Sequence, residues 1–215
     1  PGLVNIGDSF NTVQGIFHFS FGKYKIEPRT AADISGWNRT CSGDRCIWQA
    51  SAGELVITEF MANPNDDGNC SDDDGEYIEV VYRPANGDTS TLDLRGLIVK
   101  DSGGDTVSGT EIILNPNQYA WLSMGSQSCY GTPNAYLGNS VTLNNGSGDT
   151  ISVGYSDLAG GSITLDEVIY SGEEVKTGAS TQLNPNTLDA ISNDSMTNWC
   201  TSTIMIPNTL DLGTP

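Results

Sequence analysis

Residues 55–81, which read LVITEFMANPNDDGNCSDDDGEYIEVV, decide the fold of this chain. Two segments rich in β-branched and aromatic residues, Leu55–Met61 and Tyr77–Tyr82, flank a loop crowded with Asp and Asn. Short apolar runs bounded by Pro and Gly are typical of β-strands. The stretch therefore predicts two strands joined by an acidic loop.

Strand signals recur along the rest of the chain, and no window has the apolar spacing of an extended helix. An N-terminal hairpin is predicted from strands at Ser9–Phe19 and Lys23–Glu27, turning at Phe21-Gly22. Further strands are predicted at Leu97–Lys100, Glu111–Leu114, Tyr119–Ser123, Ser140–Leu143, Thr150–Val153, Glu167–Ser171, Ser180–Leu183 and Asn198–Thr203. Short strands at this regular spacing predict an all-β sandwich or barrel.

The composition is strongly acidic, with 27 Asp and Glu residues, 9 Lys and Arg residues and a formal net charge of −18. Because nucleic-acid affinity comes largely from basic side chains that displace counterions, we expect no direct binding of DNA or RNA. No apolar run approaches the roughly 18 residues that a membrane-spanning helix needs. The chain begins Pro1-Gly2-Leu3 without Met, and we expect it to be a piece of a longer protein.

The five cysteines favour an extracytoplasmic setting. Cys41 and Cys46 are near enough in sequence to close a small loop, whereas Cys70, Cys129 and Cys200 lie far apart. Paired C-x-x-C motifs are absent from the sequence, so a zinc ribbon is not indicated. With the acidic composition, this pattern predicts an oxidising, secreted or cell-surface location. The odd number leaves one cysteine outside intrachain pairs, and the pairing of the others stays open.

From Leu55 onward the chain contains an ordered set of motifs: LVITEFMANP (55–64), GEYIEV (75–80), LDLRGLIVKD (92–101), ILNPNQYAWLS (113–123), SVTLNNGSGDTISV (140–153), LDEVIY (165–170) and GTP (213–215). This ordered set resembles the bacterial form of the lamin tail domain. The resemblance implies an immunoglobulin-like β-sandwich over residues 54–215 and a non-catalytic, accessory role in secreted or surface proteins. The acidic insert Asn65–Asp74 and the cysteines are not general features of that family, which leaves the partner open.

Residues 7–28, GDSFNTVQGIFHFSFGKYKIEP, are similar to the last strands of an OB-fold domain found in secreted bacterial nucleases. A complete OB barrel needs five strands, so only a remnant of one fits in this segment. The expected plan is a β-hairpin with a partial OB-fold at 1–35, a linker at 36–53 and the sandwich at 54–215.

The acidic loop is the candidate metal site. Ca²⁺ takes six to eight oxygen ligands from carboxylates, amides and carbonyls, and such donors crowd residues 63–76. The loop lacks the ligand spacing of an EF-hand, so a solvated acidic surface is the alternative. Cys70 could order the loop through a disulfide. The candidate Ca²⁺ ligands are Asn65, Asp66, Asp67, Asp72, Asp73, Asp74 and Glu76.

The sequence carries no pattern that indicates catalysis. It contains no glycine-rich phosphate loop, H-E-x-x-H motif or nucleophile elbow. His18, the only histidine, is expected on a strand surface. Glu59 and Glu79 could meet across neighbouring strands, where like charges are unfavourable unless a cation lies between them. We therefore predict no catalytic residues and no cofactor other than Ca²⁺.

These observations predict a non-catalytic secreted or cell-surface module that binds or positions a partner, with Ca²⁺ stabilising one end. Two alternatives stay open: an accessory domain of a multidomain extracellular nuclease or phosphatase, and a glycan- or matrix-binding adhesin domain. The partner would be a protein, a glycan or a matrix component. Exposed strand edges could also pair two copies into a homodimer.

Overall fold

The computed structural model describes residues 8–36, 40–64, 71–125, 129–138, 140–156 and 161–202. Within these ranges the regular structure is almost all strand, with one helical turn, α1 (Asp72–Gly75), and four short 3₁₀ segments. The prediction of an all-β sandwich is confirmed. None of the described helices is long and apolar enough to cross a membrane.

Two sheets form the two layers of the sandwich. The six-stranded sheet has the order β13 (Ala135–Tyr136), β12 (Tyr119–Ser123), β7 (Tyr77–Tyr82), β6 (Leu55–Met61), β16 (Thr181–Leu183) and β17 (Trp199–Thr201). The four-stranded sheet has the order β10 (Asp105–Val107), β9 (Ile98–Lys100), β14 (Asp149–Ser156) and β15 (Ser162–Tyr170). A smaller sheet contains β11 (Ile113–Leu114), β8 (Leu92–Asp93) and β5 (Arg45–Cys46).

Aromatic side chains join the two layers. Phe60 of β6 stacks on Tyr170 of β15 with ring centroids 4.5 Å apart, and Trp199 of β17 lies 5.5 Å from Phe60. All three rings are buried in one continuous apolar core. Burial of such side chains is worth roughly 1.5–3 kcal/mol each, so this contact contributes strongly to the packing of β6 against β15.

The two central strands are buried on both faces. Every residue of Leu55–Met61 and of Tyr77–Tyr82 is buried, and both strands have the predicted bounds. This explains why the two segments read as near-continuous apolar runs instead of alternating apolar and polar residues. Their pairing contains a bulge at Thr58, because Ile57 pairs with Val80 while Glu59 pairs with Glu79.

The predicted N-terminal hairpin is present, with β2 (Ile16–Ser20) paired to β3 (Lys23–Glu27). Phe21 and Gly22 have positive φ angles of 50° and 73°, as a tight two-residue hairpin turn requires. The single strand predicted at Ser9–Phe19 is divided. Its first part forms β1 (Thr12–Val13), which pairs with β4 (Ile34–Ser35) and not with the hairpin.

Part of the predicted linker, residues 36–53, packs with the sandwich. Arg45 and Cys46 form β5, which pairs in parallel with β8. Ile47 is fully buried in the main core, and Cys41 is disulfide-bonded to Cys46, closing the expected small loop. Residues 45–50 are therefore structural members of the sandwich.

The prediction of a strand at Ser140–Leu143 was wrong. The backbone N–H groups of Thr142, Leu143 and Asn144 donate hydrogen bonds to side chains and not to a neighbouring strand. Thr142 donates to Asp101 Oδ2 (2.8 Å), Leu143 to Glu76 Oε2 (2.8 Å) and Asn144 to Asp149 Oδ2 (3.1 Å). Three carboxylates thus replace a strand ladder and hold the segment in an irregular conformation.

Candidate functional site

Four of the seven predicted Ca²⁺ ligands fall in the described part of the chain. Asp72, Asp73 and Asp74 form the first turn of α1, and Ser71 Oγ caps that turn by accepting the Asp74 N–H at 3.2 Å. Asp72 Oδ2 also accepts the Asn145 side-chain amide at 3.2 Å. The predicted ligands Asn65, Asp66 and Asp67, and also Cys70, lie outside the described residues.

The fourth of these residues, Glu76, turns inward. Its side chain is 2% exposed and accepts the Leu143 N–H. Burial raises the pKa of this carboxyl to about 8, the Leu143 bond opposes the shift, and the nearby carboxylates of Asp72 and Asp73 reinforce it. Among the described residues, no three His, Cys, Asp or Glu side chains are arranged to hold a metal ion. The Ca²⁺ site stays a prediction.

The structure brings Glu59 and Glu79 together, as the sequence suggested. They are opposed across β6 and β7, and both side chains are almost fully buried. The Tyr77 hydroxyl donates to Glu59 Oε1 at 2.5 Å, and the Thr58 hydroxyl donates to Glu79 Oε1 at 2.9 Å. Burial, and then the Glu59 carboxylate, raise the pKa of Tyr77, so its hydroxyl keeps its proton. The bulge at Thr58 places a donor beside one of the two acids.

Another buried acid, Asp166 of β15, links the two layers. Its Oδ2 accepts the Ile57 N–H and the Asn193 side-chain amide, both at 2.6 Å. Burial raises the pKa of Asp166 to about 7, against the effect of these two bonds. Asn193 is fully buried, and among the described residues its Oδ1 has no hydrogen-bond partner. Its backbone carbonyl accepts the Trp199 indole N–H at 2.8 Å, which anchors the segment before β17.

A pocket of about 650 Å³ opens beside Asp166, where residues 51–54, 83 and 85, 164–167, 189–191 and 194 meet. Backbone bonds fix its frame: Gly53 N donates to Leu165 O at 2.8 Å, and Arg83 N donates to Glu54 O at 2.7 Å. Leu165 occupies a bulge of β15, since Val153 pairs with Asp166 and Gly154 with Thr164. A volume of this size is ordinary for a ligand site.

No signal in the sequence indicates this pocket. Its walls come from four separate segments of the chain, and none of them contains a motif that indicates a binding site. The available clue was the Leu-Asp-Glu of 165–167, an acidic pair next to an apolar residue within a predicted strand. Because neighbouring residues of a strand point to opposite faces, such a pair predicts one inward and one outward side chain and does not indicate a cavity.

The hairpin exposes an apolar face, defined here as Phe17, Phe19, Phe21, Tyr24 and Ile26. Cross-strand pairing of Phe17 with Ile26 and of Phe19 with Tyr24 puts these four side chains on one side. All five are exposed, and Phe21 at the turn is 95% exposed. Phe17 stacks on Tyr24 with centroids 5.4 Å apart, and Lys25 Nζ lies 5.3 Å from the Phe21 ring. His18 lies on the opposite side beside Glu27, on a strand surface as predicted.

Comparisons of the chain with protein-family models, with curated proteins and with solved structures find no match. Three features of the described residues bear on function: the acidic turn at Asp72–Glu76, the pocket beside Asp166 and the apolar hairpin face.

Proposed function

We propose that the chain is a non-catalytic binding or positioning module of an extracytoplasmic protein, with a lamin-tail-like, immunoglobulin-type sandwich as its body. The observation that carries the proposal is the apolar hairpin face. Monomeric soluble proteins rarely expose contiguous apolar patches of this kind, and such patches mark surfaces that dock another molecule. A two-stranded hairpin is also marginal in isolation, so a partner that covers it would stabilise it.

The occupant we propose for this face is the β-sheet of another folded domain in the same secreted protein. Two copies of this chain would each carry a formal charge of −18, and that repulsion opposes self-association. The likeness of residues 7–28 to OB-fold strands supports an accessory role beside an extracellular hydrolase domain. The Cys41–Cys46 disulfide and the disulfide at Cys129 support an oxidising compartment.

The non-catalytic role is tested with the purified chain, plasmid DNA and p-nitrophenyl phosphate, in the presence of Mg²⁺ or Ca²⁺. We expect no turnover above the buffer blank. Hydrolysis that survives repurification of the chain and saturates with substrate would contradict the proposal. Added EDTA separates a metal-dependent contaminant from buffer hydrolysis.

The positioning role is tested by reading the coding DNA on both sides of this chain. An adjoining OB-fold or hydrolase domain supports the proposed role. Tandem sandwiches or a surface anchor would instead support an adhesin. Sedimentation velocity adds a physical measurement: we expect a monomer at low ionic strength, whereas a dimer that Phe17→Ser/Phe19→Ser abolishes would assign the apolar hairpin face to a second copy.

A further inference from the structure

The chain contains two Asn-Gly steps, Asn86-Gly87 and Asn145-Gly146, and the structure describes both. An asparagine side chain can react with the backbone nitrogen of the residue that follows it. Glycine in that second position hinders the reaction least, because it has no Cβ. The reaction also needs the side-chain carbonyl carbon and the nitrogen to approach each other freely. The surroundings of the two steps therefore decide which of them reacts.

The Asn86-Gly87 step lies at the centre of an exposed turn. The Asp88 N–H donates to the Ala85 carbonyl at 3.0 Å, which closes a β-turn with Asn86 and Gly87 as its central residues. Both residues are exposed, and a Cβ placed on Gly87 would meet no atom within 4 Å. Within the described part of the chain, neither the Asn86 side chain nor the Gly87 N–H has a hydrogen-bond partner. The two reacting groups are therefore free to meet.

Hydrogen bonds hold the same dipeptide at Asn145-Gly146. The Gly146 N–H donates to Asn144 Oδ1 at 2.9 Å, which occupies the attacking nitrogen. The Asn145 side-chain amide donates to Asp72 Oδ2 at 3.2 Å, which fixes the group that would be attacked. Both bonds must break before a ring can close, and each bond of ordinary net strength slows the reaction by roughly two- to tenfold.

We propose that Asn86 is a site of spontaneous deamidation and that Asn145 is protected from the same reaction. The Gly87 nitrogen forms a bond to Asn86 Cγ and gives its proton to solvent, while the Cγ–Nδ2 bond breaks and ammonia leaves. Water then opens the cyclic imide at one of its two carbonyl carbons, which yields an aspartyl or isoaspartyl residue at position 86. The net reaction consumes one water and releases one ammonia, and no oxidant or reductant takes part.

The product disturbs a polar network beside the turn. Asp88 Oδ2 lies 3.1 Å from Arg45 Nη1, and Arg45 forms a second ion pair of 2.6 Å with Glu54. The Ala85 N–H also donates to Glu54 Oε1 at 3.4 Å. An isoaspartyl linkage adds a methylene to the backbone of the turn and shifts Asp88 relative to Arg45. Because Arg45 belongs to β5, the modification loosens the attachment of that strand to the sandwich.

Peptide mapping by mass spectrometry tests the site. The whole folded chain is incubated at pH 8 and then digested with pepsin at low pH, where loss of the proton from the attacking nitrogen is suppressed. We expect Asn86 to convert faster than Asn145 by about tenfold or more, from the two bonds that hold Asn145-Gly146. In urea the two rates should become similar, because those bonds are lost. Equal rates in the folded chain, or faster conversion of Asn145, would overturn the proposal.

The variant Asn144→Ala tests why Asn145 is protected. It removes the oxygen that accepts the Gly146 N–H, so conversion of Asn145 should rise roughly two- to tenfold while that of Asn86 stays the same. Asn144 is exposed, and its backbone bonds to Asp149 and Tyr170 are kept, so folding should be retained, as circular dichroism can verify. An unchanged rate at Asn145 would contradict protection by this hydrogen bond.

The variant Asn86→Ser tests the structural consequence, because serine cannot form the imide. After the same incubation, the wild type should melt at a lower temperature than before, and Asn86→Ser should melt as it did when fresh. Thermal unfolding followed by circular dichroism makes the comparison. A converted wild type that melts like the fresh protein would refute the coupling of the turn to Arg45.

Discussion

Glu59 and Glu79 face each other across the two central strands, and both side chains are more than nine-tenths buried. Two like charges directly opposite each other destabilise a sheet, and burial strengthens the repulsion because the local dielectric is low. Each acid is nevertheless held by a hydroxyl donor, Tyr77 for Glu59 and Thr58 for Glu79. The centre of the six-stranded sheet therefore contains a polar pair that the rest of the fold stabilises.

The first prediction concerns the coupling of this pair. Glu79→Gln should raise the free energy of unfolding at pH 8 by about 1 kcal/mol, because it relieves repulsion and keeps the oxygen that accepts from Thr58. Glu59→Gln should raise the free energy of unfolding by a similar amount, because its amide oxygen can still accept from the Tyr77 hydroxyl. The double variant should gain less than the sum of the two singles. Urea denaturation of all four proteins measures this cycle.

Additive effects of the two substitutions would show that the carboxyl groups do not interact. Loss of several kcal/mol in each single variant would show that a shared proton or a bound cation holds the pair, as expected when one partner of a buried charged network is removed.

The second prediction contrasts two phenylalanines. Phe60→Ala should cost about 3–5 kcal/mol, because it leaves a cavity between Tyr170 and Trp199 at the contact of the two layers. Phe19→Ala removes an exposed ring of the hairpin and should change stability by no more than about 0.5 kcal/mol. Thermal unfolding followed by circular dichroism compares them. A large loss for Phe19→Ala would mean that the hairpin packs on the body of the protein.

The central strands could be predicted from the sequence because the signals that define them lie within the strands and their immediate neighbours. Leu55–Met61 and Tyr77–Tyr82 are mostly apolar and are stopped by Pro or Gly, so the burial of both strands is visible in the residues themselves. The hairpin turn could also be predicted from the sequence, since Phe21-Gly22 lies between two segments of alternating apolar and polar residues. Each of these predictions needed only residues that are neighbours in the chain.

The predictions that failed depended on contacts between residues that are far apart in the chain. Ser140–Leu143 has a strand-like composition, but its N–H groups meet Asp101 and Glu76, which are far away in sequence. The parallel pairing of Arg45–Cys46 with Leu92–Asp93 also depends on tertiary contact, and two-residue strands carry almost no periodicity. The pocket beside Asp166 was missed for the same reason, because its walls are assembled from four distant segments.

The third prediction is a pH dependence that arises from Asp166. Its pKa is raised from 3.8 to about 7, so between about pH 4 and pH 7 the folded protein binds more protons than the unfolded chain. Stability attributable to this group therefore falls as the pH rises through that window and is constant above it. The loss is about 4 kcal/mol at most, from the size of the shift.

Asp166→Asn should flatten this part of the profile, because the amide is neutral at every pH and retains an acceptor for Ile57 N–H. Urea denaturation at intervals from pH 4.5 to pH 8 makes the comparison. The control Asp194→Asn removes an exposed neighbouring charge and should leave most of the slope in place. Parallel profiles for wild type and Asp166→Asn would show that another group is responsible.

The last prediction concerns Ca²⁺ at the acidic turn. Asp72 and Asp73 both raise the pKa of buried Glu76, which shows that negative charge accumulates at this end of the sandwich. A divalent cation coordinated by the exposed carboxylates would relieve that repulsion, and Ca²⁺ accepts the irregular oxygen sets that such loops provide. Calorimetry should show saturable Ca²⁺ binding that Asp72→Asn/Asp74→Asn removes, and Ca²⁺ should raise the melting temperature of the wild type but not of that variant. Glu167→Gln/Asp194→Asn is the matched control, because the same loss of charge is placed at the pocket. A flat titration of the wild type at millimolar Ca²⁺, or the same loss of binding in the control, would leave the turn as a solvated acidic surface whose inward-facing Glu76 serves to hold Leu143.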